Sequence, residues 1–121
     1  MPRDQRPILV VDDDPDLRGL LELILQQEGY RVIAAGDGAE ALARAAATPP
    51  ALIFLDMRMP VMDGWEFARE LRARYGRSTP IVVVTAAEDA AARARDIDAD
   101  AWLGKPFEIA DVTRTAARLL G

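Results

Sequence analysis

Neither cysteine nor histidine occurs among the 121 residues. The first absence excludes disulfides, zinc–thiolate centres and thiol nucleophiles, and the second excludes Ser–His triads and imidazole metal sites. Positive charge is also short: 15 cations face 20 anions, for a net charge of -5. Neither a nucleic acid nor an anionic membrane would be drawn to that overall field. No apolar run approaches the length of a membrane span, and the polar opening Met1–Arg6 lacks the apolar core of a signal peptide. The expectation is a cytoplasmic chain with a loose tail over residues 1–6 and one domain over 7–121. Among side chains that do chemistry, carboxylates, hydroxyls and lysine remain.

Half of the residues are hydrophobic, enough for one domain to bury roughly two-thirds of its unfolded surface. The run Leu52-Ile53-Phe54-Leu55 is apolar on both alternating faces and ends abruptly on Asp56. Such a run suits the middle of a parallel sheet covered on each side, with Asp56 delivered to its carboxyl edge. Ile8–Val11, Arg31–Ala35, Ile81–Val84 and Ala101–Leu103 read as the other strands, with Thr85 ending the fourth. Between them, Leu17, Leu20, Leu21, Ile24 and Leu25 recur at the spacing of one helix face. Asp14 before Pro15 has the form of an N-cap, and Gly29 that of a left-handed stop. Gly36-Asp37-Gly38 reads as a turn before an alanine-rich helix over 39–47, halted by Pro49 and Pro50. A third helix points Phe67, Leu71 and Tyr75 inward. A fourth, Ala90–Ile97, has almost no large apolar side chain and is expected to be the least firmly packed. A fifth turns Ile109, Val112, Thr113, Ala116 and Leu120 to one side and runs to the end of the chain. Strand and helix alternate five times, which implies right-handed crossovers and a parallel sheet clad on both faces.

The strand ends collect Asp12 and Asp13 after the first, Asp56 after the third, Thr85 after the fourth and Lys105 after the fifth. Three carboxylates at one edge repel one another unless a cation joins them, and an all-oxygen cluster suits Mg²⁺. Asp56 could then attack a phosphoryl group and hold it as an acyl phosphate, while Thr85 offers a hydrogen bond and Lys105 a point charge. Each position taken alone also passes as ordinary loop chemistry. Lys105 is harder to dismiss, because every other cation is arginine and a compact ammonium differs in kind from a forked guanidinium.

Val10-Val11-Asp12-Asp13-Asp14, Leu55-Asp56-Met57-Arg58-Met59-Pro60-Val61-Met62-Asp63-Gly64, Thr85-Ala86 and Lys105-Pro106-Phe107 occur in order. Through them the chain resembles a response-regulator receiver domain from Ile8 to Leu120. The resemblance implies a flavodoxin-like (βα)5 fold with strand order 2-1-3-4-5. It makes Asp56 the phosphoacceptor, and Asp13, Asp56 and the backbone carbonyl of Arg58 the Mg²⁺ ligands with Asp12 acting through water. Thr85 and Lys105 would hold the phosphoryl oxygens, and the bond before Pro106 would be cis. Phosphorylation would draw the Thr85 hydroxyl inward and let an aromatic on the fifth strand follow, a place that Trp102 occupies. The readout surface would be the fourth helix, fifth strand and fifth helix, with a homodimer through the same surface as an option. Arg58 and Ala87 match variable positions that help set the lifetime of the acyl phosphate, and the small Ala86 keeps the donor's approach open. Asp98 stands where many relatives carry glycine, so the turn before the fifth strand is expected to differ.

The donor, given no histidine in the chain, is expected to be a histidine kinase, a histidine phosphotransfer protein or a small acyl phosphate. Two other classes compete. A phosphate-independent pseudo-receiver would not need the intact Asp13, Asp56, Thr85 and Lys105 set. An aspartyl-phosphate phosphatase of the haloacid dehalogenase type shares the spacing of Asp12 and Asp14, but Pro15 opens a helix where its motif loop should continue. An EF-hand reading fails, since Leu17 and Leu23 stand where glycine and glutamate are required.

Overall fold

The computed structural model describes residues 5–120 and has the expected alternation. The strands are β1 (Ile8–Val11), β2 (Val32–Ala35), β3 (Leu52–Leu55), β4 (Ile81–Ala86) and β5 (Ala101–Lys105). The helices are α1 (Pro15–Gln27), α2 (Gly38–Ala47), α3 (Gly64–Tyr75), α4 (Ala90–Ile97) and α5 (Ile109–Leu120). All pairings are parallel and the sheet order is β2-β1-β3-β4-β5. Most of the expected tail, residues 1–4, lies outside the described residues.

Strand alternation sorts the core into two layers. Leu9, Val11, Ile53, Leu55, Ile81 and Val83 face α2, α3 and α4, where Leu42, Phe67, Leu71 and Ile97 cover them. Ile8, Val10, Leu52, Phe54, Val82 and Val84 face α1 and α5, beneath Leu21, Ile24, Leu25, Val112 and Ala116. With helices on both faces, the central strands have no solvent side, which explains their unbroken apolar runs.

The helix stripes are narrower than expected. On α1, Leu21, Ile24 and Leu25 are buried, whereas Leu20 is 42% exposed on the flank of the stripe and Leu17 is only partly covered. Tyr75 closes α3 at 44% exposure, past the last turn that faces the sheet. On α5 the buried set is Val112, Thr115 and Ala116; Ile109 is 63% exposed in the first turn, and the Thr113 hydroxyl donates to the carbonyl of Ala110. Four boundaries also move. β2 begins at Val32, and β4 runs past Thr85 to Ala86. β5 continues to Lys105 as Gly104 pairs with Thr85 and Lys105 with Ala86. Gly38 is the first residue of α2 rather than part of a turn, with Asp37 as its cap accepting from the Glu40 amide.

α4 buries only Ala90, Ala94 and Ile97, and its first turn lacks a side-chain cap. Its carboxyl end, however, is held by α3. Arg72 donates to the carbonyls of Ile97 and Asp98, which the end of a helix otherwise leaves unpaired. Asp98 takes the left-handed conformation itself (φ 52°, ψ 53°), and its amide returns to Ala94 and Arg95. Aspartate here takes the left-handed form that glycine adopts most readily.

Candidate functional site

The register of β1 on β3 pairs Val11 with Leu55, so the next residues on each strand, Asp12 and Asp56, emerge side by side. The Asp56 amide donates to the Val11 carbonyl at 2.9 Å and that of Asp12 to Ala35 at 3.1 Å, fixing both backbones as they leave the sheet. Asp13 follows on the exposed side. Carboxylate oxygens of Asp12, Asp13 and Asp56 lie within 4.8 Å of one another. Asp12 and Asp56 are almost wholly buried.

Lys105 arrives from β5. Its Nζ lies 3.2 Å from Asp12 Oδ2 and 3.8 Å from Asp56 Oδ1, so one ammonium meets two of the three carboxylates. Burial pushes the Asp56 carboxyl up to about 6; Lys105 opposes the rise, Asp12 adds to it, the Arg58 amide opposes it and Asp13 adds to it. An oxygen-only donor set with this excess of negative charge fits a hard divalent cation such as Mg²⁺. Thr85 is buried at the carboxyl end of β4, two residues past Val83, the partner of Leu55. The Arg58 amide points back to Asp56 Oδ1 at 3.4 Å, while its guanidinium carbon rests 5.9 Å from the centroid of the Trp65 ring.

The supports explain why these particular elements hold the site. Asp12 Oδ1 accepts the Asp14 amide at 2.9 Å, Asp14 caps α1 through the amides of Asp16 and Leu17, and Arg18 donates to the Asp12 carbonyl. The start of α1 thus fixes the orientation of Asp12. Gly64 lets α3 begin against the Asp56 loop: its amide donates to Met57, and a Cβ there would stand 2.7 Å from Met57 Cα and 2.9 Å from the Asp56 carbonyl oxygen. Gly104 does the same for Ala87, whose Cα a side chain would meet at 2.7 Å. Gly104, Arg18 and Trp65 escaped the sequence reading. A glycine inside a strand does signal a close backbone approach; nothing in the spacing of Arg18 or Trp65 marks them. The Lys105–Pro106 bond is cis.

Residues 8–117 match the family model of the response regulator receiver domain. The chain is 41% identical over 110 residues to the transcriptional regulatory protein PdtaR of Mycobacterium tuberculosis, which covers 88% of this chain and 53% of that protein. Its structure resembles the chemotaxis protein CheY4 of Vibrio cholerae (TM-score 0.85, 35% identity, covering 97% of this chain and 100% of that one). It also resembles the response regulator TrrA of Thermotoga maritima, solved in complex with Mg²⁺-BeF (TM-score 0.83, 32% identity, 95% and 99% covered). The chain spans about half the length of the curated relatives it matches. Among the described residues no helix is long and apolar enough to cross a membrane. With family, fold and acidic edge in agreement, the chain belongs to the response regulator receiver domains of two-component signalling.

Proposed function

We propose that this receiver is a phosphoacceptor that takes a phosphoryl group from a phosphohistidine onto Asp56. The observation that carries this reading is the convergence of Asp12, Asp13 and Asp56 with the Lys105 ammonium at one sheet edge. Asp13, Asp56 and the Arg58 carbonyl would hold Mg²⁺, with Asp12 acting through water. When bound, the ion supplies the positive charge that lets one anion approach another. An Asp56 carboxylate oxygen then bonds to phosphorus as the bond from phosphorus to the donor imidazole nitrogen breaks. Lys105 and Thr85 neutralise and hydrogen-bond the phosphoryl oxygens as charge builds on them. The chain thereby promotes its own phosphorylation and its later hydrolysis, without turning over a free substrate. The Mg²⁺-BeF complex of the Thermotoga relative supports the same arrangement.

A histidine kinase or histidine phosphotransfer protein is the fitting donor, in a cytoplasmic setting. The signal would leave through α4, β5 and α5, the surface on which two copies could also pair. Trp102 stands 53% exposed on β5, the outward position from which an inward swing behind Thr85 would start. Incubation with Mg²⁺ and acetyl phosphate, followed by intact mass, tests the reading. A hydroxylamine-labile adduct is expected on the wild type and absent from Asp56→Asn. An equal adduct on both, or none on either, would overturn Asp56 as acceptor.

A further inference from the structure

Arg58 lies two residues from Asp56, on the exposed rim of the site. Among the described residues its guanidinium makes no ion pair and instead faces the Trp65 indole, 5.9 Å from the centroid. An unanchored arginine of this length would sample many rotamers. The indole that anchors it is itself tied to a different element. Trp65 Nε1 donates to Asp96 Oδ2 at 3.0 Å, Arg93 Nε donates to the same oxygen at 2.8 Å, and the Arg93 guanidinium carbon lies 5.6 Å from the same ring. Asp96 and Arg93 both belong to α4. A continuous path therefore runs from Asp56 through Arg58 and Trp65 to α4.

We propose that Trp65 is a positioning residue for Arg58: by holding the guanidinium on its ring it keeps Arg58 off the phosphoryl group, and so sets the lifetime of phospho-Asp56 under the control of α4. This rests on Asp56 accepting phosphate. A neutral ring face competes weakly with a phosphoryl group carrying close to two negative charges. Arg58 therefore divides itself between the two, and the division depends on how well the ring is placed. With the indole held by Asp96, the in-line path of water to phosphorus stays open. With the indole gone, Arg58 moves over the phosphoryl oxygens and closes that path. Displacement of α4, as by a bound partner, withdraws Asp96 and Arg93 from the ring and has the same effect in milder form.

The experiment is a double-mutant cycle on the first-order loss of phosphate from the purified, acetyl-phosphate-labelled protein. Trp65→Leu should slow hydrolysis by about threefold or more, Trp65→Phe by less because the ring face remains, and Trp65→Leu should change nothing in an Arg58→Ala background. An unchanged lifetime in Trp65→Leu, or an equal slowing when Arg58 is already alanine, would overturn the proposal while leaving the phosphoacceptor reading intact. The contact is also read without phosphate, from the indole Nε1–H resonances in ¹H–¹⁵N spectra. Arg58→Ala should shift the Trp65 resonance and leave that of Trp102 in place; an unshifted Trp65 signal would overturn the proposal whether or not the chain accepts phosphate.

Discussion

At the scale of single residues, Asp56, the proposed phosphoacceptor, is where burial of a carboxyl costs stability. Its folded carboxyl is raised from 3.8 to about 6, chiefly by burial; Lys105 opposes the rise more strongly than either neighbouring carboxylate, Asp12 or Asp13, adds to it. A raised carboxyl favours the folded state fully below the unfolded value near 3.8, and that contribution is lost as pH rises through about 6. Asp56→Asn removes the ionisation and keeps the shape. In metal-free buffer at pH 8 it should be the more stable protein by about 1–2 kcal/mol, after discounting the shift for partial solvent screening. The gap should close as the pH falls below about 6 and the wild-type carboxyl takes up its proton. Urea unfolding of both proteins from pH 5 to 8 measures it, and a gap that widens toward acid would refute the assignment of strain to Asp56. The position of this residue was legible, because a short apolar run breaking on aspartate, set among alternating strand and helix patterns, reads as a buried strand reaching an edge. Its energetic burden was legible only as repulsion among the strand-end carboxylates; the larger cause, burial of the carboxyl, emerges only once the edge has folded.

At the scale of elements, α4 shows what periodicity alone misses. Its apolar poverty was plain in the sequence, and its buried face is indeed two alanines at Ala90 and Ala94 with Ile97. The compensating grip from α3 was not plain, because Arg72 reaches carbonyls 25 and 26 residues away and backbone acceptors carry no sequence signature. Arg72→Ala should unpair both carbonyls at the end of α4, costing about 1–2 kcal/mol given the partial exposure of the contact. Amide exchange should speed up in the last turn of α4 and at Asp98 more than in β3 or α5, and hydrogen exchange by mass spectrometry reads that difference. Uniform acceleration across the domain would mean that Arg72 supports global rather than local stability. The helix stripes on α1 and α5 were read too broadly for a related reason. Apolar residues such as Leu20 and Ile109 share the helical spacing of the core face, but a flat sheet covers only the middle of that arc and leaves its flanks to solvent.

At the scale of the whole molecule, the site exists only because four separated segments meet at one edge, and the parallel order β2-β1-β3-β4-β5 is what brings them there. The parallel sheet clad on both faces was legible from the regular alternation of apolar runs with helical patterns, whereas the strand order came only from the resemblance to receiver domains. The same closure makes the folded state the only one in which Asp12, Asp13 and Asp56 can share a cation. Binding to the folded state alone stabilises it by mass action, about 1.4 kcal/mol for each tenfold rise in free Mg²⁺ beyond the dissociation constant. The midpoint of thermal unfolding should therefore climb by roughly 3–6 °C per tenfold increment in a domain of this size, at constant ionic strength. Asp13→Asn should lose most of that climb while melting no lower than the wild type without metal, because it removes a repelling carboxylate that the exposed position does not otherwise need. Differential scanning calorimetry across a Mg²⁺ series, with sodium chloride balancing the ionic strength, separates this from general screening. An Asp13→Asn protein that gains as much from Mg²⁺ as the wild type would show that the ion acts on the acidic surface at large and not at the edge where the strands converge.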